Sequence, residues 1–278
     1  MNDRRDSYSN TLSAVNHRPY PLPKRPWSVA QRWRDLLFAH WPVAACQVAP
    51  LLPPGLEIDT FDQSAWVGVV PFWMDQVKVR GLPRIPGAIR FPELNFRTYV
   101  RERNTNRAGV YFFSLEAANP LGVAMARTIF HLPYHWARMS VRARSEREFT
   151  YQSERLFSAR PVRFRAHYRG LGQGRMFEQS CPGTIEYFLT ERYCLFTTGH
   201  RGQLLRGDID HVPWPLEAAE AEIEINDLPA AYGIRLPETP PLLHYSRELA
   251  VYLWSLDTVP LSPLKALEAV GARPAEIV

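Results

Sequence analysis

The feature that most restricts the fold of this chain is a period-two alternation of apolar and polar residues, repeated in short runs and broken by turn-forming residues. Successive side chains of a strand point to opposite faces, so each such run asks for a neighbour in a sheet, not for a place in a helical bundle. The runs fall at 92–103, 109–117, 134–147, 161–169, 221–227 and 243–256. With 25 prolines and 15 glycines in 278 residues, the chain also carries enough turn chemistry for a sheet protein with many loops. A continuous apolar stretch, AWVGVVPFWM at 65–74, reads as a buried strand in which Pro71 marks a bend or a missing ladder bond.

Other segments have local signals of their own. The polar turn NTNRAG at 104–109 joins two of the alternating runs as a hairpin. After Asn119-Pro120, the residues Leu121, Ala124, Met125, Thr128, Ile129 and Leu132 recur at helical spacing; Asn119 caps this helix and Pro133 ends it. Short helices are also expected at 183–190 and 262–270. The segment 27–43 stays open, because Trp33, Leu36, Leu37 and His40 have helical spacing while 38–43 suit a strand. The loop RGLPRIPGAIRFP at 80–92 is long enough to fold over something as a lid, although a surface connection is the favoured reading. Gly170, Gly172 and Gly174 do not complete a dinucleotide fingerprint and read as a hairpin tip. Residues 1–25 read as a flexible tail stiffened by Pro19, Pro21 and Pro23, with a single domain over 26–278.

Composition narrows the function classes. Of 33 basic residues only Lys24, Lys78 and Lys265 are lysines, so the formal charge of +5 is almost entirely guanidinium. The arginines are spread along the chain and no nucleic-acid-binding module accompanies them, which points away from a nucleic-acid partner. No apolar run approaches a membrane span, no leader is seen, and Cys46, Cys181 and Cys194 form no disulfide framework; a cytoplasmic protein without a membrane partner is expected. Zinc-peptidase, P-loop and nucleophile-elbow motifs are all missing, and Pro133 spoils a shared metal site for His131 and His135, so neither metal nor cofactor is expected.

Two alternating runs carry candidate chemistry. In FPELNFRTYV, the residues Glu93, Asn95, Arg97 and Tyr99 share one strand face. If that face lined a cavity, Arg97 could clamp a carboxylate and Glu93 could move a proton; alternation alone reads it as the solvent half of a two-faced sheet. In LPYHWARMSVRAR, His135 lies on the apolar face with Ala137, Met139 and Val141, while Tyr134 lies opposite. Taken alone, His135 reads as a core histidine.

Beyond these local readings, WRDLLFAHWPV (33–43), LLPPGLEIDTFD (51–62), AWVGVVPF (65–72), FPELNFRTYV (91–100), VYFFSLEAAN (110–119), LPYHWARM (132–139) and PLLHYSRELAVYLW (241–254) together resemble the successive signatures of the YqjF-like family, the domain of unknown function numbered 2071. That resemblance implies the acetoacetate decarboxylase-like fold: a β-rich α+β domain whose curved antiparallel sheet closes into a barrel or cone with a few short helices. The decarboxylase carries a Gly-Phe-Pro-Lys-Lys stretch, one lysine of which forms a Schiff base. Here the stretch reads His131-Leu132-Pro133-Tyr134-His135, so aligning the prolines puts Tyr134 and His135 in the places of the two lysines. Glu93 is the approximate counterpart of an acid on the strand before the decarboxylase helix. The resemblance therefore implies a barrel cavity with His135 and Glu93 as acid/base groups and Arg97, Asn95 and Tyr134 contacting the ligand. The expected function is binding of a small oxygenated or carboxylate-bearing molecule, with lysine-independent lyase, hydratase or isomerase chemistry, or else a non-catalytic ligand-binding or sensor module. Homo-oligomers are common in such barrels, so the resemblance allows a homo-oligomer, while no heptad or long amphipathic seam in the sequence argues for one.

Overall fold

A computed structural model describes residues 16–82, 90–172 and 181–260, with the side chains of 121, 125, 126 and 129 outside the description. Thirteen strands form one sheet: β1 (Val29–Val43), β2 (Leu56–Ile58), β3 (Ala65–Val79), β4 (Arg90–Glu102), β5 (Ala108–Ala117), β6 (Tyr134–Ser145), β7 (Glu148–Arg155), β8 (Arg163–Gly170), β9 (Cys194–Thr198), β10 (Leu204–Asp210), β11 (Leu216–Asn226), β12 (Leu242–Leu253) and β13 (Asp257–Thr258). Among the described residues four short α-helices accompany them: α1 (Ala45–Val48), α2 (Pro120–Phe130), α3 (Ile185–Thr190) and α4 (Leu228–Ala231).

The sheet closes on itself. The order β1-β3-β4-β5-β6-β7-β8-β11-β12 returns to β1 and makes a nine-strand barrel. A second branch leaves the same wall in the other direction, because β5 pairs with β9 through Val110 and Tyr111, and β12 pairs with β10 through Tyr252 and Leu253. The long strands β1, β3 and β4 are thus a shared wall with a compartment on each face. On the nine-strand side Leu37, Ala39, Val67, Val69, Leu94 and Phe96 pack against Tyr151, Phe164 and Tyr168. On the opposite side Leu36, Phe38, Val70, Phe72 and Tyr99 pack against Phe188 and Leu189 of α3 and against Leu195 and Ile209.

The wall depends on two irregularities. Asp35 has φ +55°, and the β1–β3 register shifts between Arg34 and Ala39, so Trp33 and then Leu36 and Phe38 face the same compartment. This bulge gives β1 the helix-like spacing that left 27–43 open. In β5, Phe113 is the extra residue between the pairs Phe96↔Ser114 and Arg97↔Phe112. It turns Ser114 and Glu116 toward the nine-strand side while Leu115 stays on the other.

The hairpin β4–β5, the helix α2 with Asn119 accepting the Gly122 amide at 3.1 Å, and the helix α3 fall where the sequence places them. Pro71 sits within the regular β3–β4 register, opposite Leu94. The solvent-face reading of Glu93, Asn95 and Arg97 is overturned: both faces of β4 are buried, because a compartment lies on each side. The flexible tail to residue 25 also needs correction over 16–25. There the chain is fastened: buried Arg18 donates to Asp210 at 2.5 Å and to the Ile209 carbonyl at 2.8 Å, Tyr20 donates to the Ala108 carbonyl, and Arg25 pairs with Asp257. The expected helix at 262–270, most of the 80–92 loop and Gly174 lie outside the described residues. Among the described residues no helix is long and apolar enough to cross a membrane.

Candidate functional site

The polar face of β4 looks into the compartment that holds α3. Glu93, Asn95 and Arg97 stand in a row, each nearly inaccessible to solvent. Because β4 is regular here, the three side chains are spaced about 7 Å apart along one face. The Tyr134 hydroxyl, on the first residue of β6, lies 3.0 Å from both carboxyl oxygens of Glu93. Burial pushes the Glu93 carboxyl up to about 8, and the Glu116 carboxyl across the wall raises it further, against a lowering by the Tyr134 hydrogen bond. At neutral pH this carboxyl holds its proton.

Arg97 is only 6% exposed, yet among the described residues no carboxylate pairs with it. One of its Nη atoms donates to the Leu189 carbonyl at the end of α3 at 3.3 Å, and its guanidinium lies over the rings of Phe38 and Tyr99. Next to it, the Tyr99 hydroxyl is 2.6 Å from Nε2 of His40. Burial first, and then the Arg97 and His244 charges, hold the His40 imidazole well below its usual range, so the ring is neutral. Gly68 makes room for it, since a Cβ there would come within 2.7 Å of the His40 ring. Three buried polar atoms around this row have no hydrogen-bond partner among the described residues: Oδ1 of Asn95, Nε of Arg97 and Nδ1 of His40.

Of the residues expected to form one pocket, the structure brings together Glu93, Asn95, Arg97 and Tyr134. His135 is not with them. It points to the nine-strand side with Ala137 and Met139, where it lines a cleft at the barrel mouth together with Arg155 and Tyr232. The change of face between adjacent residues of β6 puts Tyr134 and His135 in different compartments, separated by the sheet itself. Burial, with the Arg155 and Arg127 charges adding to it, lowers the His135 imidazole to about 4.

Sequence reasoning did not single out His40, nor the Glu116–Arg155 pair whose Nε–Oε1 distance is 3.1 Å. For His40 the signal was present but masked by the bulge: once Asp35 is removed from the count, His40 falls in phase with Trp33, as Leu36 and Phe38 do. Lys78 is exposed on the outer surface over the Trp27 ring, away from the row, so no described lysine stands near Glu93. Among the described residues no group of three or more histidine, cysteine, aspartate or glutamate side chains is arranged to hold a metal.

The family profile described as an uncharacterized conserved protein, DUF2071, matches residues 30–250. The chain belongs to the DUF2071 family. YqjF of Bacillus subtilis (strain 168) is 43% identical over 235 residues, covering 84% of this chain and 94% of that protein. Among solved structures, the enduracididine biosynthesis enzyme MppR, complexed with the condensation product of pyruvate and imidazole 4-carboxaldehyde, superimposes with a TM-score of 0.60 at 12% identity, over 84% of this chain and 90% of that one. The acetoacetate decarboxylase of Legionella pneumophila gives a TM-score of 0.56 at 14% identity, over 94% of this chain and 98% of that one. At such identities these likenesses establish the fold, and the DUF2071 chain shares the acetoacetate decarboxylase-like architecture.

Proposed function

We propose that this DUF2071 protein binds a small oxygenated carboxylate against the Glu93–Asn95–Arg97 row and moves a proton with Glu93, in lyase, hydratase or isomerase chemistry that uses no Schiff base. The observation that carries this reading is Arg97: a buried guanidinium, without a carboxylate partner among the described residues, on the same strand face as a carboxyl that keeps its proton at neutral pH. A buried cation is costly unless paired, and a ligand carboxylate would supply the pairing. Asn95 and His40 each offer a polar atom with no hydrogen-bond partner to the ligand's remaining oxygens. With its carboxyl pushed up to about 8 by burial, Glu93 would act first as an acid. A structural neighbour of this fold, MppR, has been seen complexed with pyruvate, which makes a 2-oxo acid a sensible first probe.

Calorimetric titration of the full chain with pyruvate, paired with proton NMR of methyl-proton exchange in heavy water, tests the reading. Saturable binding is expected, weakened about tenfold or more by Arg97→Gln, the size of a lost charge-assisted hydrogen bond. Glu93→Gln copies the protonated carboxyl, so it should bind pyruvate and exchange no protons. Unchanged binding in the Arg97 variant sinks the proposal. A second reading, a binder that breaks no bond, is favoured by the way Tyr134 engages both Glu93 oxygens; binding without exchange in the unaltered chain would select it.

A further inference from the structure

The cleft that receives His135 is separate from the row described above, and nothing in the proposed chemistry uses it. It lies at the mouth of the nine-strand barrel, between the start of β6, the β7–β8 loop and α4, and has a volume of about 760 Å³. That is the size of an ordinary small-molecule site. Its floor is already matched: Arg155 is paired with buried Glu116, and the Tyr232 hydroxyl donates to the Phe113 carbonyl at 2.8 Å.

The rim is different. Phe157, in the β7–β8 loop, is 91% exposed and has φ +56°, a left-handed conformation that is unfavourable for an aromatic residue. Its ring lies 5.9 Å from that of Trp136, which is itself 40% exposed, so the rim is an outward aromatic shelf. A soluble domain gains nothing in stability from holding a strained backbone to present a phenyl ring to water. Three residues further along the same loop, Arg160 is exposed and has no ion-pair partner among the described residues. The other charges of the lining cancel, Arg155 against Glu116 and Arg163 against Asp227 at 2.9 Å. The lining therefore carries one uncompensated positive charge. The His135 ring, with neither nitrogen hydrogen-bonded among the described residues, faces the same space.

We propose that this cleft is a second ligand site, which takes a small organic anion with a flat apolar body: the anionic group against Arg160 and His135, the body under Phe157. The β7–β8 loop supplies both halves of the recognition, the aromatic surface and the cation, within four residues. The site stands independently of the Glu93 row, since the β4–β5–β6 sheet separates them.

Isothermal titration of the full chain with 2-naphthoate, followed in parallel by sedimentation, tests this. Saturable binding is expected, with Phe157→Ser and Arg160→Gln each weakening it about fivefold or more, in line with the usual worth of one aromatic or one charge contact. Both positions are exposed, so these variants should fold as the unaltered chain does. Glu93→Gln should leave naphthoate binding as it was. The proposal is overturned if naphthoate does not bind, if neither loop variant weakens it, or if Glu93→Gln abolishes it and so places the ligand in the other compartment. It is also overturned if Phe157→Ser turns a dimer into a monomer, which would make the aromatic shelf a subunit interface.

Discussion

On the nine-strand side of the shared wall, Tyr151, Tyr168 and Tyr245 bury their rings in the core, and each hydroxyl finds a partner: the Glu93 carbonyl at 2.7 Å, the Asp35 carbonyl at 2.8 Å and an Asp35 carboxylate oxygen at 2.8 Å. On the other side, Asn95, Arg97 and His40 are just as deeply buried and each keeps a polar atom without a partner. The same strands build both faces. A satisfied polar group in a core fixes one packing arrangement at little net cost, whereas an unsatisfied one lowers stability until something else completes it. Apart from the Ser153 hydroxyl, which has no partner among the described residues, the contrast separates a face that serves folding from a face with a cluster of bonding capacity left over.

The largest expected effect comes from breaking the matched side. Arg155→Ala strands the Glu116 carboxylate in the barrel mouth, and loss of one partner of a buried pair costs about 3–5 kcal/mol. Urea unfolding near neutral pH measures it, and the loss should shrink in acid, where Glu116 can take up a proton. A variant that unfolds at the same urea concentration as the original would show that this pair does not hold the mouth.

The next effect sharpens the unmatched side through pH. Glu93 in the folded chain keeps its proton until about 8, while in the unfolded chain it ionises near its ordinary value of 4.5. Between those two values the unfolded state has already released the proton and the folded state has not, so stability falls as pH rises, by about 1.4 kcal/mol per unit. The contribution is fully present below pH 4.5 and gone above pH 8. Glu93→Gln has no proton to lose, so its advantage in thermal midpoint over the original should widen from pH 5 to pH 8; parallel pH profiles would contradict a buried, protonated Glu93.

The smallest effect is Tyr151→Phe, which leaves the Glu93 carbonyl without its 2.7 Å donor and should cost about 1 kcal/mol. It should also leave pyruvate binding unaltered, because Tyr151 approaches Glu93 from the far side of the wall.

Much of this architecture could be read in the chain where the signals are local. NTNRAG fixes the β4–β5 hairpin, and Asn119-Pro120 starts α2, because turn and cap chemistry act over a few residues. Where the signal depends on tertiary context it was lost. Asp35 shifts the phase of β1, so Trp33, Leu36, Leu37 and His40 imitate a helix. The strands β9 and β10 are buried on both faces and show no alternation. The row on β4 could be read as a row, but its burial could not, since that follows from a compartment closed by residues more than 90 positions away in α3. For the same reason Tyr134 and His135 could be assigned to opposite faces of β6, while the existence of two separate interiors, one for each, could not be read from one strand.

The fastening of residues 16–25 has a practical bearing on how this protein is handled. The prolines at 19, 21 and 23 invite trimming before residue 26, as though the preceding stretch were dispensable. Arg18 is the counter-ion of Asp210, whose carboxylate has no exposure of its own, on the edge of the very strand that closes the α3 compartment. A shortened chain would begin life with an orphaned charge at its seam, and poor behaviour in such a sample would report on the missing latch and not on the barrel.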